Sequence, residues 1–169
     1  YLTYGLDRAP GGIGRYAVEL LRALDALPGG PEIVILTTER EDHHDLWNAF
    51  ERYALTGCRR LPALLTIGNL MLSEAIRRCR LDAVHDPNGV APFLGPAFGA
   101  RRIVTIHDAF AYVHPETHNQ LDNWRYRWML PGAAGAADAV LTNSHYSRSD
   151  LVRYLSVPAA RVQAIHLGI

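Results

Sequence analysis

The stretch Ile103-Val104-Thr105-Ile106-His107-Asp108 is a run of β-branched residues that ends in two polar side chains. β-Branched residues favour strands, and a short apolar run indicates a strand in the interior of a sheet. Similar runs occur along the whole chain, separated by longer segments with apolar residues at three- and four-residue steps. This alternation predicts βαβ units and a doubly wound, mostly parallel, Rossmann-like α/β fold.

The predicted elements follow these two kinds of segment. The strands are expected at residues 2–6, 32–38, 57–61, 82–86, 102–107, 139–143 and 161–166. The helices are expected at the amphipathic segment from Ile13 to Leu27 and at residues 45–55, 66–79, 119–137 and 145–155. Residues 87–100 and 108–118 are expected to form long loops at the carboxyl ends of strands, where open α/β sheets bind ligands.

The composition fits one globular domain and excludes several functions. The chain has 169 residues, 49% of them apolar, so we expect a single domain over residues 1–169. All 17 basic residues are Arg, and the chain therefore lacks the Lys that a Walker A loop or a Schiff-base enzyme needs. The 17 acidic residues bring the formal charge to zero, which argues against a nucleic-acid partner.

The cysteines and the hydropathy indicate neither a metal site nor a membrane span. Cys58 and Cys79 lack the spacing of a zinc site, so we expect reduced thiols in a cytoplasmic protein and no bound metal. No apolar run reaches the ~20 residues of a spanning helix, and no signal peptide is recognisable. Because the chain begins with Tyr and not with Met, we expect it to be part of a longer protein.

A glycine-rich turn, Pro10-Gly11-Gly12-Ile13-Gly14-Arg15, lies between the first strand and the first helix. Glycines let the backbone approach an anion closely, and a helix start offers unpaired N–H groups to a phosphate. The glycines also fit a nicotinamide or flavin fingerprint, Gly12-x-Gly14-x-x-Ala17, but Asp7-Arg8-Ala9-Pro10 separates the glycine run from the strand. Three interpretations stay open: phosphate or substrate contact, a dinucleotide cofactor, and a turn without a ligand.

Two His-Asp pairs, His85-Asp86 and His107-Asp108, stand where predicted strands end. Neighbouring parallel strands would bring both pairs to one edge, where imidazole and carboxylate groups can bind sugar hydroxyls or transfer protons. His85 has a second interpretation, a ring held by its own loop. A metal-dependent HD phosphohydrolase is the rival for both pairs, but its His-Asp signature belongs on helices.

Three further segments have a structural and a functional interpretation. Asn143 and Ser144 follow a strand and precede a helix, so they either bind a ligand or cap that helix. Trp124 and Trp128 are four residues apart and are expected in the core, although a membrane-surface or acceptor-binding helix is the alternative. Residues 42–45, Asp-His-His-Asp, are expected to form a solvated helix start.

The order of these motifs resembles the N-terminal half of retaining glycosyltransferases with the GT-B fold, the group 1 class or family 4. The resemblance rests on residues 11–16, 82–88, 104–108, 137–147 and 160–168. It covers nearly the whole chain. The chain departs from the pattern of these enzymes at two places. One is His145-Tyr146, where acidic-aromatic pairs are common, and the other is a first strand that is less aliphatic than usual.

The resemblance implies an enzyme that transfers a sugar from a nucleoside-diphosphate sugar to a carbohydrate or lipid-linked acceptor, with retention and without a metal or other cofactor. This chain would be the acceptor-side domain, without the C-terminal donor domain. His107 and Asp108 would then be catalytic. The implied substrate-binding residues are Gly11, Gly12, Arg15, His85, Asn88, Asn143 and Ser144.

The resemblance also implies a cytoplasmic enzyme with possible peripheral membrane contact. Two other functions stay open on the residues alone. One is a sugar- or nucleotide-binding module without catalysis, and the other is a Rossmann oxidoreductase built on Gly12-Ile13-Gly14.

Overall fold

The computed structural model describes residues 1–6, 11–38, 45–114, 116 and 120–168. The helices are α1 (Gly12–Asp25), α2 (Leu61–Leu65), α3 (Ile67–Arg78), α4 (Phe110–Val113), α5 (Gln120–Ala136) and α6 (His145–Leu155). The strands are β1 (Val34–Thr37), β2 (Glu51–Ala54), β3 (Ala83–Asp86), β4 (Arg101–Thr105), β5 (Ala139–Thr142) and β6 (Val162–Ala164). Two short 3-10 helices, Asp45–Ala49 and Ala159–Arg161, complete the described elements.

The strands form two parallel sheets, β1–β2 and β3–β4–β5–β6, which the first residues of the chain join. Leu2 pairs in parallel with Leu36 of β1, and its N–H donates to the carbonyl of His85 in β3 at 2.9 Å. With residues 1–3 counted as the first strand, the order is 3-2-1-4-5-6-7 in chain sequence. The predicted doubly wound parallel architecture is therefore confirmed.

Helices cover the sheet on both faces because successive side chains of a strand point in opposite directions. Ile35 packs with Ala17, Val18 and Leu21 of α1 on one face. The next residue, Leu36, belongs to a larger cluster on the other face. Helices α3, α5 and α6 contribute to this cluster with Leu72, Ile76, Met129, Ala133, Ala134, Leu151 and Leu155.

The third predicted strand is wrong in position. Residues 57–61 form a turn, in which Gly57 has φ 84°, and the start of α2, whereas the strand is β2 within the predicted helix 45–55. The reason is that β2 lies at the edge of the sheet and is largely exposed, so its sequence Glu-Arg-Tyr-Ala lacks an apolar run. Only residues 45–49 of that predicted helix are helical, as a 3-10 turn.

Other boundaries differ by a few residues. The first strand ends early because Gly5 adopts a positive φ of 75° and the N–H of Leu6 donates to the carbonyl of Thr3, which forms a turn. The predicted loop 87–100 is confirmed, while the second predicted loop contains the short helix α4. The Asp-His-His part of the predicted helix start at 42–45 lies outside the described residues.

No helix among the described residues is long and apolar enough to cross a bilayer. Both cysteines are free thiols, with Cys58 buried and Cys79 partly exposed.

Candidate active site

The strand order reverses direction between residues 1–3 and β3, and this reversal opens a crevice at the carboxyl edge of the sheet. Open α/β sheets bind ligands at such a point because the connections leave the edge in opposite directions there. The start of α1, the end of β3 and the end of β4 all lie at this edge. The sequence prediction that the glycine turn and His107 share one edge is confirmed, since Ile13 and His107 line one pocket.

This pocket has a volume of about 310 Å³. Its lining residues are Ile13, Asn88, Ile106, His107, Asp108, Phe110, Ala111, Tyr126 and Leu130. Most of the wall is apolar or aromatic, and Asn88, His107 and Asp108 supply its amide, imidazole and carboxylate groups. A largely apolar cavity with a few convergent polar groups is typical of a site for a small organic ligand.

His107 is anchored at its ring Nε2 and at its backbone carbonyl. Its Nε2 lies 3.0 Å from the carbonyl oxygen of Pro87, and its own backbone carbonyl accepts a hydrogen bond from Thr142 Oγ1 at 3.4 Å. A carbonyl oxygen can only accept, so Nε2 carries a proton. In the neutral ring, Nδ1 is therefore the atom that can accept a proton or a hydrogen bond.

Asp108 and Asn88 reach the pocket from the two loops that follow β4 and β3. The Asp108 Oδ1 accepts a hydrogen bond from the N–H of Phe110 at 2.9 Å, which ties the carboxylate to the start of α4. Asn88 Nδ2 donates to the carbonyl of Tyr4 at 3.2 Å, across the crevice. Both side chains are thus oriented by backbone contacts while they line the pocket.

Asp86 does not reach the pocket, which corrects the expectation that both His-Asp pairs present their carboxylates to a ligand. The side chain is fully buried. It accepts hydrogen bonds from the N–H groups of Asn88, Val90 and Ala91 at 2.9, 2.6 and 2.6 Å. Burial raises its pKa to about 6, and the N–H donors oppose this shift. Asp86 therefore shapes the loop that carries Asn88.

His85 is also turned away from the pocket, where it was predicted to bind substrate. Its Nε2 lies 2.8 Å from Thr105 Oγ1, and its ring meets the ring of Tyr1 edge to face at 5.3 Å. Burial lowers the pKa of His85 to about 3, so the ring is neutral. The alternative of a satisfied ring is thus correct, although the partner is the neighbouring strand and not its own loop.

The glycine turn stands at the exposed start of α1. Gly11 accepts a hydrogen bond from the N–H of Arg15 at 3.0 Å, and Arg15 itself is exposed. A Cβ atom added at Gly11 or at Gly12 would meet no described atom within 4 Å. Contacts within the described part of the chain thus do not require glycine at either position. The three interpretations of this turn are not separated by its geometry alone.

Comparison with known proteins shows which family the chain belongs to. The sequence model for Glycosyltransferase Family 4 matches residues 10–169. The chain belongs to this family. The resemblance to family 4 that was inferred from the motif order is therefore confirmed.

A curated protein and a solved structure match the chain over part of their own length. It is 29% identical over 170 residues to the O-antigen chain mannosyltransferase B of Escherichia coli, covering 93% of this chain and 43% of that protein. A crystal structure of a glycosyltransferase from Rickettsia africae ESF-5 superposes with a TM-score of 0.60 at 16% identity, over 95% of this chain and 40% of the other. The chain spans less than half of the length of either relative.

In this family-4 chain, Asn143 and Ser144 contact α6. Ser144 Oγ accepts a hydrogen bond from the N–H of Ser147 at 3.0 Å, as an N-cap does, and Asn143 Oδ1 accepts from Ser147 Oγ at 3.3 Å. The predicted capping by Ser144 is confirmed. Neither residue lines the pocket.

We expect Ser144→Ala to lower the free energy of unfolding by about 1 kcal/mol, the usual cost of losing an N-cap. Ser144→Asp restores the acceptor and should recover most of this loss. Urea unfolding of the three proteins measures the effect. A large loss of activity in Ser144→Ala without any loss of stability would instead support a ligand-binding role.

The structure corrects the sequence prediction for Trp128. It also adds two residues, Tyr16 and Thr105, that the sequence did not assign to the site. Trp128 was expected in the core, but 63% of its side chain is exposed. A four-residue spacing indicates that two side chains share a helix face, but not which face is buried, and the side chain of Trp124 lies outside the described residues. Tyr16 and Thr105 were missed, although Tyr16 contacts the ring of His107 at 4.9 Å and bonds Thr105. In the sequence, Tyr16 belongs to the amphipathic segment and to the motif at residues 11–16, and neither pattern predicts a contact with His107.

Proposed function

We propose that the intact protein transfers a hexose from a nucleoside-diphosphate sugar to a hydroxyl group of an acceptor, with retention of configuration. Family membership supports transfer over the binding module and the oxidoreductase, and the relative from Escherichia coli is named as a mannosyltransferase. The observation that carries the proposal is the pocket at the reversal of strand order, which contains His107, Asp108 and Asn88.

The pocket is suited to an acceptor sugar. Phe110 and Tyr126 are 46% and 39% exposed, so both side chains are accessible to a ligand. Sugars present apolar C–H faces as well as hydroxyl groups, and a wall that combines aromatic rings with Asn88 and Asp108 matches both. We therefore assign the acceptor to this pocket.

The reaction breaks the bond between the anomeric carbon and the diphosphate oxygen, and it forms a bond from the same carbon to the acceptor oxygen. The acceptor proton leaves with the diphosphate. In our proposal His107 lies beside the anomeric carbon, and its Nδ1 accepts a hydrogen bond from a hydroxyl group of the transferred sugar. The N–H groups at the start of α1 and the guanidinium of Arg15 face the developing negative charge of the diphosphate.

The proposed reaction uses no metal ion or other cofactor. Instead, the charge of the leaving diphosphate is met by Arg15, by the start of α1, and by groups in the part of the protein outside this chain.

A donor screen on the intact protein tests this function. Nucleoside-diphosphate hexoses are offered with short glycan and lipid-linked acceptors, and the anomeric configuration of the product is read by NMR. A product with the configuration of the donor supports retention, and an inverted product contradicts it. Sugar binding without any product supports the binding module, and tight binding of NAD supports the oxidoreductase.

We expect residues 1–169 alone to show no measurable transfer under conditions in which the intact protein turns over. The charge of the diphosphate has to be met from both sides of a closed cleft, and this chain supplies one side. Transfer is measured at equal concentrations, with a cooperative thermal melt to verify that the isolated chain is folded. Turnover by the folded chain within about tenfold of the intact protein would refute the division of the site.

A further inference from the structure

A chain of hydrogen bonds crosses the sheet below the pocket. Thr105, the last residue of β4, is 2% exposed. Its Oγ1 lies 2.8 Å from His85 Nε2 on β3 and 3.1 Å from the phenol oxygen of Tyr16 on α1. Three elements that are distant in sequence therefore meet at one buried hydroxyl group.

The protonation states of His85, Thr105 and Tyr16 permit a continuous chain of hydrogen bonds. Burial lowers the pKa of His85 to about 3 and raises the pKa of Tyr16, so the imidazole is neutral and the phenol is protonated. Each group then carries one proton for the chain. Tyr16 can donate to Thr105 while Thr105 donates to His85, both bonds can run in the reverse direction, or Thr105 Oγ1 can accept from both neighbours. In each case all three polar atoms have a partner.

Tyr16 connects this chain of hydrogen bonds to the pocket. Its ring meets the ring of His107 edge to face, with centroids 4.9 Å apart and planes at 88°. His107 has one side-chain hydrogen bond in the described structure, to the carbonyl of Pro87. That bond fixes the position of Nε2, but rotation about it would still move Nδ1. The Tyr16 ring restricts this rotation because the two rings are in edge-to-face contact.

We propose that Thr105 and Tyr16 are positioning residues, which hold the imidazole of His107 in the orientation that transfer requires. The inference rests on the proposed function in that it assigns His107 to the reaction. Neither Thr105 nor Tyr16 touches the substrate in this proposal. Thr105 fixes the phenol of Tyr16, and the ring of Tyr16 fixes His107.

The test uses the intact protein. Thr105→Val keeps the shape of the side chain but removes the hydroxyl, and Thr105→Ser restores it. We expect Thr105→Val to lower kcat about tenfold with little change in the KM of the donor, because a small displacement of a reacting group costs mainly rate. Thr105→Ser should recover most of the rate. Tyr16→Phe should lower kcat less than Tyr16→Ala, which removes the ring as well.

Thr3→Val is the matched control. Thr3 is also a fully buried Thr, and its Oγ1 bonds the carbonyl of Leu36 at 3.4 Å, on a strand that does not contact His107. We expect Thr3→Val to shift the unfolding midpoint without a change in kcat. If Thr105→Val lowers the midpoint as Thr3→Val does and leaves kcat unchanged, the positioning role is wrong.

A second measurement separates this inference from the proposed function. In protein labelled with ¹⁵N at histidine, the ring resonances of His107 report its tautomer and surroundings without any turnover. We expect Thr105→Val and Tyr16→Ala to shift these resonances and Thr3→Val to leave them in place. Unshifted His107 resonances would overturn the positioning role. Shifted resonances in a protein that transfers no sugar would overturn the proposed function and retain the positioning role.

Discussion

Replacing His107 with alanine in the intact protein is expected to lower kcat by about 10²- to 10³-fold, as the loss of one preorganised hydrogen-bonding group at a reacting centre does. The cost to stability should stay below about 2 kcal/mol. The ring is only partly buried, and the described contacts that it makes are one hydrogen bond to Pro87 and the edge contact with Tyr16. Steady-state kinetics and urea unfolding of the same preparations measure both quantities.

One further variant at His107 and one control variant at another histidine show what the imidazole of His107 contributes. His107→Gln keeps a side-chain N–H that can donate to the carbonyl of Pro87, so it preserves the loop but lacks an imidazole. We expect its stability to be close to that of the wild type and its kcat to be close to that of His107→Ala. His145→Ala removes an exposed histidine at the start of α6 and should leave kcat unchanged. If the loss of kcat in His107→Ala, expressed as an activation free energy, is no larger than its loss in unfolding free energy, His107 is a structural residue.

Strands β3, β4 and β5 were predictable because they are interior strands. Val84, Val104 and Val140 are fully buried. A strand that is covered on both faces has a sequence of consecutive apolar residues, which is easy to recognise. The edge strand β2 has no such run and was missed. Its position follows from pairing with β1, which a local pattern does not contain.

The candidate site was predictable in its location but not in its contacts. The carboxyl edge, His107, Asp108 and Asn88 follow from strand ends and loops. The sequence does not show that Asp86 turns into its own loop, since an aspartate at a strand end can face either a ligand or backbone N–H groups. Likewise, the contact between Tyr16 and Thr105 joins residues 89 positions apart, and it depends on how α1 crosses the sheet.

The conformation of the loop after β3 depends on Asp86. We expect Asp86→Ala to lower the free energy of unfolding at pH 7.5 by about 3 kcal/mol, because three buried N–H groups lose their acceptor. The amides of Val90 and Ala91 should also exchange faster with solvent. Since Asn88 and the carbonyl of Pro87 belong to this loop, the KM of the acceptor should rise as well.

Asp138→Ala is the control for a carboxylate that holds a backbone N–H at the surface. Asp138 is exposed, and its Oδ2 accepts a hydrogen bond from the N–H of Arg102 at 2.8 Å. We expect its replacement to cost about 1 kcal/mol and to leave the exchange of Val90 and Ala91 unchanged. Protected amides at Val90 and Ala91 in Asp86→Ala would show that the loop holds its conformation without this carboxylate.

The pH dependence of the same variant tests the burial of Asp86. The folded-state pKa of about 6 lies above the unfolded value of about 3.9, so the folded protein binds this proton more tightly. The proton-linked part of the contribution of Asp86 to stability is therefore complete below about pH 4 and is lost as the pH rises through 6, whereas the hydrogen bonds to the three N–H groups remain at higher pH. The difference in unfolding free energy between wild type and Asp86→Ala should be about 2 kcal/mol larger at pH 4.5 than at pH 7.5. A difference that grows with rising pH would mean that the three N–H donors outweigh burial and lower the pKa of Asp86.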